Sequence, residues 1–98
     1  MTSHSTDVLS TDAVAEALRG LPGWQLDGDA IARTYTHPDF RVAVAFVGYV
    51  AEIAEKLGHH PDIDVRYNKV RLAVTTHDAG GLTEKDLELA RTVDAAGA

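Results

Sequence analysis

The sequence predicts an α+β fold, a two-layer α/β sandwich in which a four-stranded antiparallel sheet carries three helices in the order α-ββ-α-ββ-α. Three segments place apolar residues at helical spacing, and between them lie two pairs of short segments in which apolar and polar residues alternate. A length of 98 residues suits a single domain. We expect that domain over residues 10–98, after a flexible tail at residues 1–9.

The first helix is predicted over residues 10–19, where apolar residues recur at helical spacing. Ser10 or Thr11 suits the N-cap, because a side-chain hydroxyl accepts a hydrogen bond from a free backbone N–H of the first turn. Gly20 is expected to end this helix.

The first pair of strands is predicted on either side of Gly28 and Asp29, which suit a tight turn. Residues 24–26 alternate apolar and polar side chains before that turn. The residues that share one face of the following strand are Ile31, Arg33 and Tyr35. The pattern therefore predicts a β-hairpin.

A long second helix is predicted over residues 39–57. Residues 42–51 contain no charged side chain, so the helix is apolar on nearly every face. A helix that covers one face of a sheet needs only an apolar stripe. We therefore expect its second face to pack on another subunit, with Ala43, Gly48 and Ala51 permitting close approach. Deep burial of the helix within one protomer is the alternative.

The second pair of strands is predicted after Gly58, which suits a left-handed cap at the end of the long helix. One strand is expected at residues 65–67, a turn at residues 68–69 and the next strand at residues 70–76. The residues of that last strand expected to face the core are Val70, Leu72 and Val74.

The final helix is predicted to start after a loop formed by Gly80 and Gly81, which suit positive φ. Thr83 is the expected N-cap, and Asp86 occupies the third helical position in a variant of the capping box. The apolar residues that continue the helix are Leu87, Ala90 and Val93.

The composition excludes several classes of function. The net charge is −6, and the nine basic residues are scattered singly, whereas a nucleic-acid groove needs clustered Lys and Arg. Neither nucleic acid nor an anionic membrane is therefore an expected partner. The absence of cysteine excludes disulfides and thiolate zinc sites. No segment resembles a signal peptide or a membrane span, so we expect a cytoplasmic protein.

Three of the five histidines lie near predicted element ends: His59 and His60 after the long helix, and His77 at the end of the last strand. One interpretation is that they are polar loop residues bonded to the backbone. A second is a metal site with the ligands His59, His77 and either Asp62 or Asp78, although no helical histidine pair supports it. The third is general acid/base catalysis, because the imidazole titrates near neutrality. The third interpretation requires the two segments to meet.

Three segments together resemble the pterin-4a-carbinolamine dehydratase family: residues 55–61 (Glu-Lys-Leu-Gly-His-His-Pro), residues 67–70 (Tyr-Asn-Lys-Val) and residues 76–83 (Thr-His-Asp-Ala-Gly-Gly-Leu-Thr), followed by Asp86. The resemblance implies dehydration of a 4a-hydroxytetrahydropterin, the carbinolamine, to quinonoid dihydropterin, a step in tetrahydrobiopterin recycling. It implies no metal and no cofactor. It also implies a homodimer joined edge to edge in its sheets, often paired through helices into a homotetramer.

The resemblance also implies the residues of the site. The catalytic residues expected from it are His59, His60, His77 and Asp86. The expected substrate-binding residues are His59, His60, Pro61, Thr76, His77 and Asp78. Two histidines would act as acid and base, and the sequence leaves open which ones. Asp86 would orient an imidazole, cap its helix, or do both.

Two other functions are compatible with the sequence. One is a non-catalytic protein-binding role, because some members of this family stabilise dimers of a homeodomain transcription factor and related domains serve as assembly factors. The other is an enzyme that acts on a different pterin. A dehydration assay on the purified protein would discriminate the first alternative from the enzyme.

Overall fold

The computed structural model describes residues 7–96 and has the predicted element order. A short 3-10 turn, His77–Ala79, lies between the last strand and the last helix. The helices are α1 (Thr11–Arg19), α2 (Phe40–Leu57) and α3 (Glu84–Ala95). The strands are β1 (Gln25–Asp27), β2 (Ala30–Thr36), β3 (Asp62–Arg66) and β4 (Lys69–Val74). The predicted α+β class is confirmed.

The four strands form one antiparallel sheet in the order β1-β2-β4-β3. Side chains along each strand point alternately to the two faces of the sheet, and the face with the apolar side chains is the one that the helices cover. Ile31 pairs with Val74 and Tyr35 pairs with Val70, and all four side chains are buried. Leu72, between the two valines of β4, is also fully buried, so the predicted core-facing set of this strand is confirmed.

The predicted helix ends are confirmed at α1 and α2. The Ser10 hydroxyl caps α1 by accepting a hydrogen bond from the Ala13 N–H at 3.1 Å. Asp39 caps α2 in the same way, accepting from the Val42 N–H at 2.9 Å. Gly58 ends α2 in the left-handed conformation with φ 66°, which a residue with a Cβ adopts at a cost.

The uncharged stretch of α2 divides into a buried face and an exposed face. Ala43, which we expected at a subunit contact, is fully buried in the protomer's own core, so that prediction was wrong. Gly48 and Ala51 are exposed, as a contact between subunits would require. The large apolar side chains exposed along the helix are Phe40, Val42, Val44 and Tyr49. The face that they form on α2 is apolar and uncovered in the single chain.

The second hairpin differs from its prediction by a few residues. We expected β3 at residues 65–67, but it begins at Asp62, because pairing with β4 extends it through two aspartates that local propensity disfavours. The turn lies at Tyr67 and Asn68, not at residues 68–69, and Tyr67 has a positive φ of 54°. Strand β4 ends at Val74, not at residue 76.

A partly buried polar cluster fixes the C-terminal part of α3 to the sheet. The Asp94 carboxylate accepts hydrogen bonds from Trp24 Nε1 at 3.1 Å, from Arg33 at 3.1 Å and from the Tyr35 hydroxyl at 2.6 Å. The Arg33 guanidinium also lies 4.5 Å above the Tyr35 ring centroid. Three donors on one carboxylate connect residues that are distant in sequence.

This cluster gives a pH-dependent contribution to stability. Burial, together with the hydrogen bond to Asp94, raises the pKa of Tyr35 well above its ordinary value of 10.0. The folded state therefore holds the phenolic proton more tightly than the unfolded state does. The resulting stabilisation is fully present below pH 10.0 and is lost as the pH rises from there towards the folded-state pKa.

We expect the free energy of unfolding of the wild type to fall as the pH rises above 10.0, and Tyr35→Phe to show a flatter decline in that range. Urea unfolding at a series of pH values measures both slopes. Tyr67→Phe is the matched control, because Tyr67 is 69% exposed and should leave the wild-type slope intact. Equal slopes for the wild type and Tyr35→Phe would contradict this account.

Two expectations concern the chain's surroundings and its N-terminus. Within residues 7–96, none of the helices combines the length and apolar character needed to cross a membrane. Most of the predicted tail, residues 1–6, lies outside the described residues. At its end the Leu9 N–H donates to the Leu82 carbonyl at 2.8 Å, and Leu9 packs against the core.

Candidate active site

All three predicted site histidines lie at one open cavity of about 240 Å³. The cavity is formed where α2 ends, where the chain leaves β4 and where α3 begins. Its lining residues are Gly58, His59, His60, Thr75, Thr76, His77, Asp78 and Lys85. Two segments that are separate in sequence therefore meet, which general acid/base catalysis by these histidines requires.

His59 reaches the cavity because α2 stops sharply. After the left-handed Gly58, the His59 N–H donates back to the Ala54 carbonyl at 3.1 Å, which turns the chain away from the helix axis. The His59 side chain is only 12% exposed, and its Nε2 lies 2.6 Å from Oδ1 of the fully buried Asp86. This imidazole is firmly anchored.

His60 has a different environment. Its side chain is 61% exposed, and its Nε2 lies 2.6 Å from Oε2 of Glu55, one turn back on α2. An exposed pair of this kind contributes little to stability, because water screens it. His60 is therefore the more exposed imidazole of the adjacent pair.

We expected His77 at the end of β4, and that prediction was wrong. His77 is instead the first residue of the 3-10 turn. The turn is closed by Thr76, whose carbonyl accepts hydrogen bonds from the Ala79 N–H at 3.0 Å and the Gly80 N–H at 3.1 Å. Gly80 takes φ 83° as predicted, whereas the prediction does not hold for Gly81, whose φ is not positive. The His77 side chain is exposed and has no hydrogen-bond partner among residues 7–96.

Asp86 lies beneath the cavity, where it joins the two segments. It completes the predicted capping box of α3, since Oδ2 accepts from the Thr83 N–H at 2.8 Å. The same oxygen accepts from the Thr76 hydroxyl at 2.9 Å, while Oδ1 faces His59. A fully buried carboxylate with three such neighbours is compensated by hydrogen bonds on both oxygens.

The structure brings most of the predicted site residues together. His59, His60, Thr76, His77 and Asp78 line the cavity. The other two predicted residues do not: Asp86 is buried behind His59, and Pro61 lies outside the lining. Asp86 can therefore act on a bound molecule only through another side chain.

Sequence reasoning did not assign Lys85 or Thr83 to the site. Lys85 lines the cavity, and its ammonium group has no hydrogen-bond or ion-pair partner among the described residues. The sequence contained one indication of this role: Lys85 places a cation in the first turn of a helix, where it is unfavourable because it opposes the helix dipole. Thr83 was identified only as a cap, yet its hydroxyl also lies 2.8 Å from that of Thr76. No local pattern indicates that contact.

Other parts of the described chain offer less chemistry. Within residues 7–96, no group of three His, Asp or Glu side chains could hold a metal ion. A cavity of about 480 Å³ between β2 and α2 is larger, but its one histidine, His37, has a buried Nε2 without a hydrogen-bond partner. The cavity with three histidines is therefore the better candidate.

Comparisons with known proteins point to one family. The sequence model of the family described as pterin 4 alpha carbinolamine dehydratase matches residues 7–96. A protein of Chloroflexus aurantiacus, named as a candidate pterin-4-alpha-carbinolamine dehydratase, is 57% identical over 86 residues, which cover 88% of this chain and 92% of that protein. A protein of Nocardia farcinica with the same name is 49% identical over 90 residues, covering 92% of this chain and 95% of that protein.

Solved structures show the same fold. The crystal structure of a transcriptional coactivator/pterin dehydratase from Brucella melitensis superposes with a TM-score of 0.87 at 40% identity, covering 94% of this chain and 100% of that chain. A pterin dehydratase-like protein, identified as a RuBisCO assembly factor in the alpha-carboxysome, superposes with a TM-score of 0.61 at 23% identity. It covers 76% of this chain and 88% of that chain, and its likeness concerns the fold alone.

Proposed function

Because this chain belongs to the pterin 4 alpha carbinolamine dehydratase family, we propose that it dehydrates a 4a-hydroxytetrahydropterin to the quinonoid dihydropterin by histidine acid/base catalysis, as a step in tetrahydrobiopterin recycling. The observation that carries the proposal is the meeting of His59, His60 and His77 at one cavity. An imidazole can both donate and accept a proton near neutral pH.

The reaction needs two proton transfers. The substrate carries a hydroxyl on C4a and a proton on the adjacent N5. A base takes the N5 proton, the electron pair forms the C4a–N5 double bond, and the C4a–O bond breaks as an acid protonates the leaving oxygen. Water and the quinonoid product result, and atoms and charge balance. Each positioned transfer typically contributes about 10²–10⁴-fold to the rate.

The settings of the histidines suit different roles. His59 is anchored by Asp86, so its ring can present one nitrogen to the substrate in a fixed direction. His77 is free of protein partners among the described residues, so both of its nitrogens can reach a ligand or solvent. We assign the two proton transfers to this pair. His60, which is exposed beside Glu55, would hold the substrate.

The polar residues at the rim of the cavity support binding of a pterin ring. The pterin edge carries both hydrogen-bond donors and acceptors. Lys85 offers an ammonium donor and Asp78 a carboxylate acceptor, and both lie at the same cavity. A few placed polar groups of this kind fix the orientation of a small ligand.

We propose further that the chain forms a homodimer or homotetramer, as its family resemblance implies. The exposed apolar face of α2 supports this, because a helix with Val42, Val44 and Tyr49 uncovered gains by burying them against a second copy. Light scattering on the purified chain measures the mass of the assembly. A monomer at assay concentrations would contradict this part of the proposal.

The decisive experiment is dehydration of synthetic 4a-hydroxytetrahydropterin, followed by ultraviolet absorbance in a stopped-flow instrument. We expect the purified chain to accelerate the reaction at least about 100-fold over buffer. Running the assay with the biopterin side chain and with a 6-methyl analogue tests which pterin is accepted. A rate equal to that of buffer with both substrates would overturn the enzymatic function and favour a binding role.

A further inference from the structure

A chain of hydrogen bonds runs from the N-cap of α3 to the His59 ring. The Thr83 and Thr76 hydroxyl oxygens lie 2.8 Å apart, and the Thr76 hydroxyl lies 2.9 Å from Oδ2 of Asp86. Thr76 is 7% exposed, while Thr83 and Asp86 are fully buried. Water therefore has little access to the hydroxyls, and their hydrogens must be shared among these groups.

The direction of each hydrogen bond follows from counting hydrogens. Oδ2 of Asp86 already accepts from the Thr83 N–H and acts as a carboxylate oxygen, so Thr76 uses its one hydroxyl hydrogen to donate to it. Thr76 Oγ1 then has only lone pairs left. The Thr83 hydroxyl must be the donor of the 2.8 Å contact, while its oxygen accepts from the Lys85 N–H at 3.3 Å.

The same count determines the tautomer of His59. With Asp86 as the carboxylate, which has no hydrogen to give, His59 Nε2 is the donor of the 2.6 Å contact to Oδ1. In the neutral ring, Nδ1 is then the unprotonated nitrogen. It has no hydrogen-bond partner among the described residues and is not a buried atom, so it is accessible to a ligand, and His59 is a lining residue of the cavity.

We propose that Thr76 is a positioning residue: it holds the Asp86 carboxylate in the orientation that fixes His59 as the Nε2–H tautomer. Thr83 orders the Thr76 hydroxyl by donating to it. The cavity thus receives a defined Nδ1 lone pair, which can accept the N5 proton of the substrate. This inference deepens the proposed function and rests on it for the catalytic consequence, whereas the tautomer itself is independent of any activity.

The test is nitrogen-15 NMR of histidine-labelled protein at a pH where the ring is neutral. The His59 signals are assigned by their loss in His59→Gln. We expect the wild type to show protonated Nε2 and unprotonated Nδ1 at His59. Thr76→Val, which keeps the side-chain shape and removes the hydroxyl, should give a mixture of tautomers, and Thr76→Ser should restore the single form.

Kinetics on the same proteins give the second readout. We expect Thr76→Val to lower kcat by about 10- to 100-fold with little change in KM, because misplacing a catalytic group slows chemistry more than binding. Thr76→Ser should recover most of the rate. The matched control is Thr92→Val, whose hydroxyl bonds only to the Glu88 carbonyl within α3 and which should change neither the tautomer nor kcat.

The outcomes separate this proposal from the function. An unchanged Nε2–H tautomer in folded Thr76→Val would overturn the positioning role, whatever the rates are. If Thr76→Val does not fold, the wild-type spectrum still decides, because a neutral His59 protonated at Nδ1 would refute the hydrogen count. The expected spectra from a protein without dehydratase activity would support the positioning network and reject the proposed function.

Discussion

Asp86→Asn is expected to lower both the stability and the activity of this protein. The carboxylate is fully buried and accepts from three groups, whereas an amide has one acceptor oxygen and presents two N–H donors. An amide nitrogen at the Oδ2 position would face two donors, the Thr83 N–H and the Thr76 hydroxyl, whereas at the Oδ1 position it forces the His59 ring to change its tautomer. We expect a loss of roughly 2–4 kcal/mol in the free energy of unfolding, the usual cost of breaking a buried charged hydrogen-bond network.

The activity loss in Asp86→Asn has a separate cause. With an amide N–H at the Oδ1 position, His59 Nε2 becomes the acceptor, so the proton moves to Nδ1 and the nitrogen that faces the cavity loses its lone pair. The equivalent change in a Ser-His-Asp triad costs about 10⁴-fold in kcat through the wrong tautomer. We expect a decrease of about 10³–10⁴-fold here on the same principle.

Urea unfolding and steady-state kinetics on the folded variant measure the two effects of Asp86→Asn. Glu84→Gln is the matched control, since Glu84 is an exposed acidic residue of the same helical turn that pairs with Arg91. It should shift stability by less than about 0.5 kcal/mol and leave kcat unchanged. Wild-type stability in Asp86→Asn would show that Asp86 is not the buried acceptor described above.

His77→Ala is expected to remove activity without removing stability. The His77 side chain is exposed and has no partner among residues 7–96, so truncating it should change the free energy of unfolding by less than about 0.5 kcal/mol. As one of the two proton-transfer groups, it should cost about 10²–10⁴-fold in kcat/KM. The contrast with Asp86→Asn separates a catalytic group from a structural one.

Chemical rescue sharpens this prediction, because the exposed position of His77 leaves room for a small molecule. Adding free imidazole to His77→Ala should restore part of the lost rate in proportion to its concentration. Gln25→Ala, an exposed change on the distant β1 strand, should be neither impaired nor rescued. If His77→Ala turned over substrate at the wild-type rate, the assignment of His77 to proton transfer would fail.

The helices could be predicted from the sequence because their signals are local. The caps Ser10, Gly58 and Thr83 act within one turn of the chain, and their geometry depends on their own backbone. Strand β3 could not be predicted at its true bounds. Asp62 and Asp64 disfavour a strand locally, and only hydrogen bonding to β4 makes them part of one.

The sequence predicted which histidines belong to the site, whereas the environment of each one is known only from the structure. His59, His60 and His77 were identified from the sequence, and the fold places them at one cavity. Their different exposures could not be predicted: one ring is 12% exposed and another 61%, although they are adjacent in the chain. Neighbouring side chains on an extended segment point in different directions, so the packing around each decides its environment.

The sequence by itself determined the element order, the caps and the residue types that this chemistry needs, because periodicity and capping act over a few residues. Only the tertiary structure decided that the cap Asp86 also bonds His59, 27 residues earlier, and that two threonine hydroxyls order that contact. The reason is physical. A carboxylate has two oxygens, and the local helix fixes a partner for one of them, while the packing of α3 against the end of α2 supplies the partner of the other.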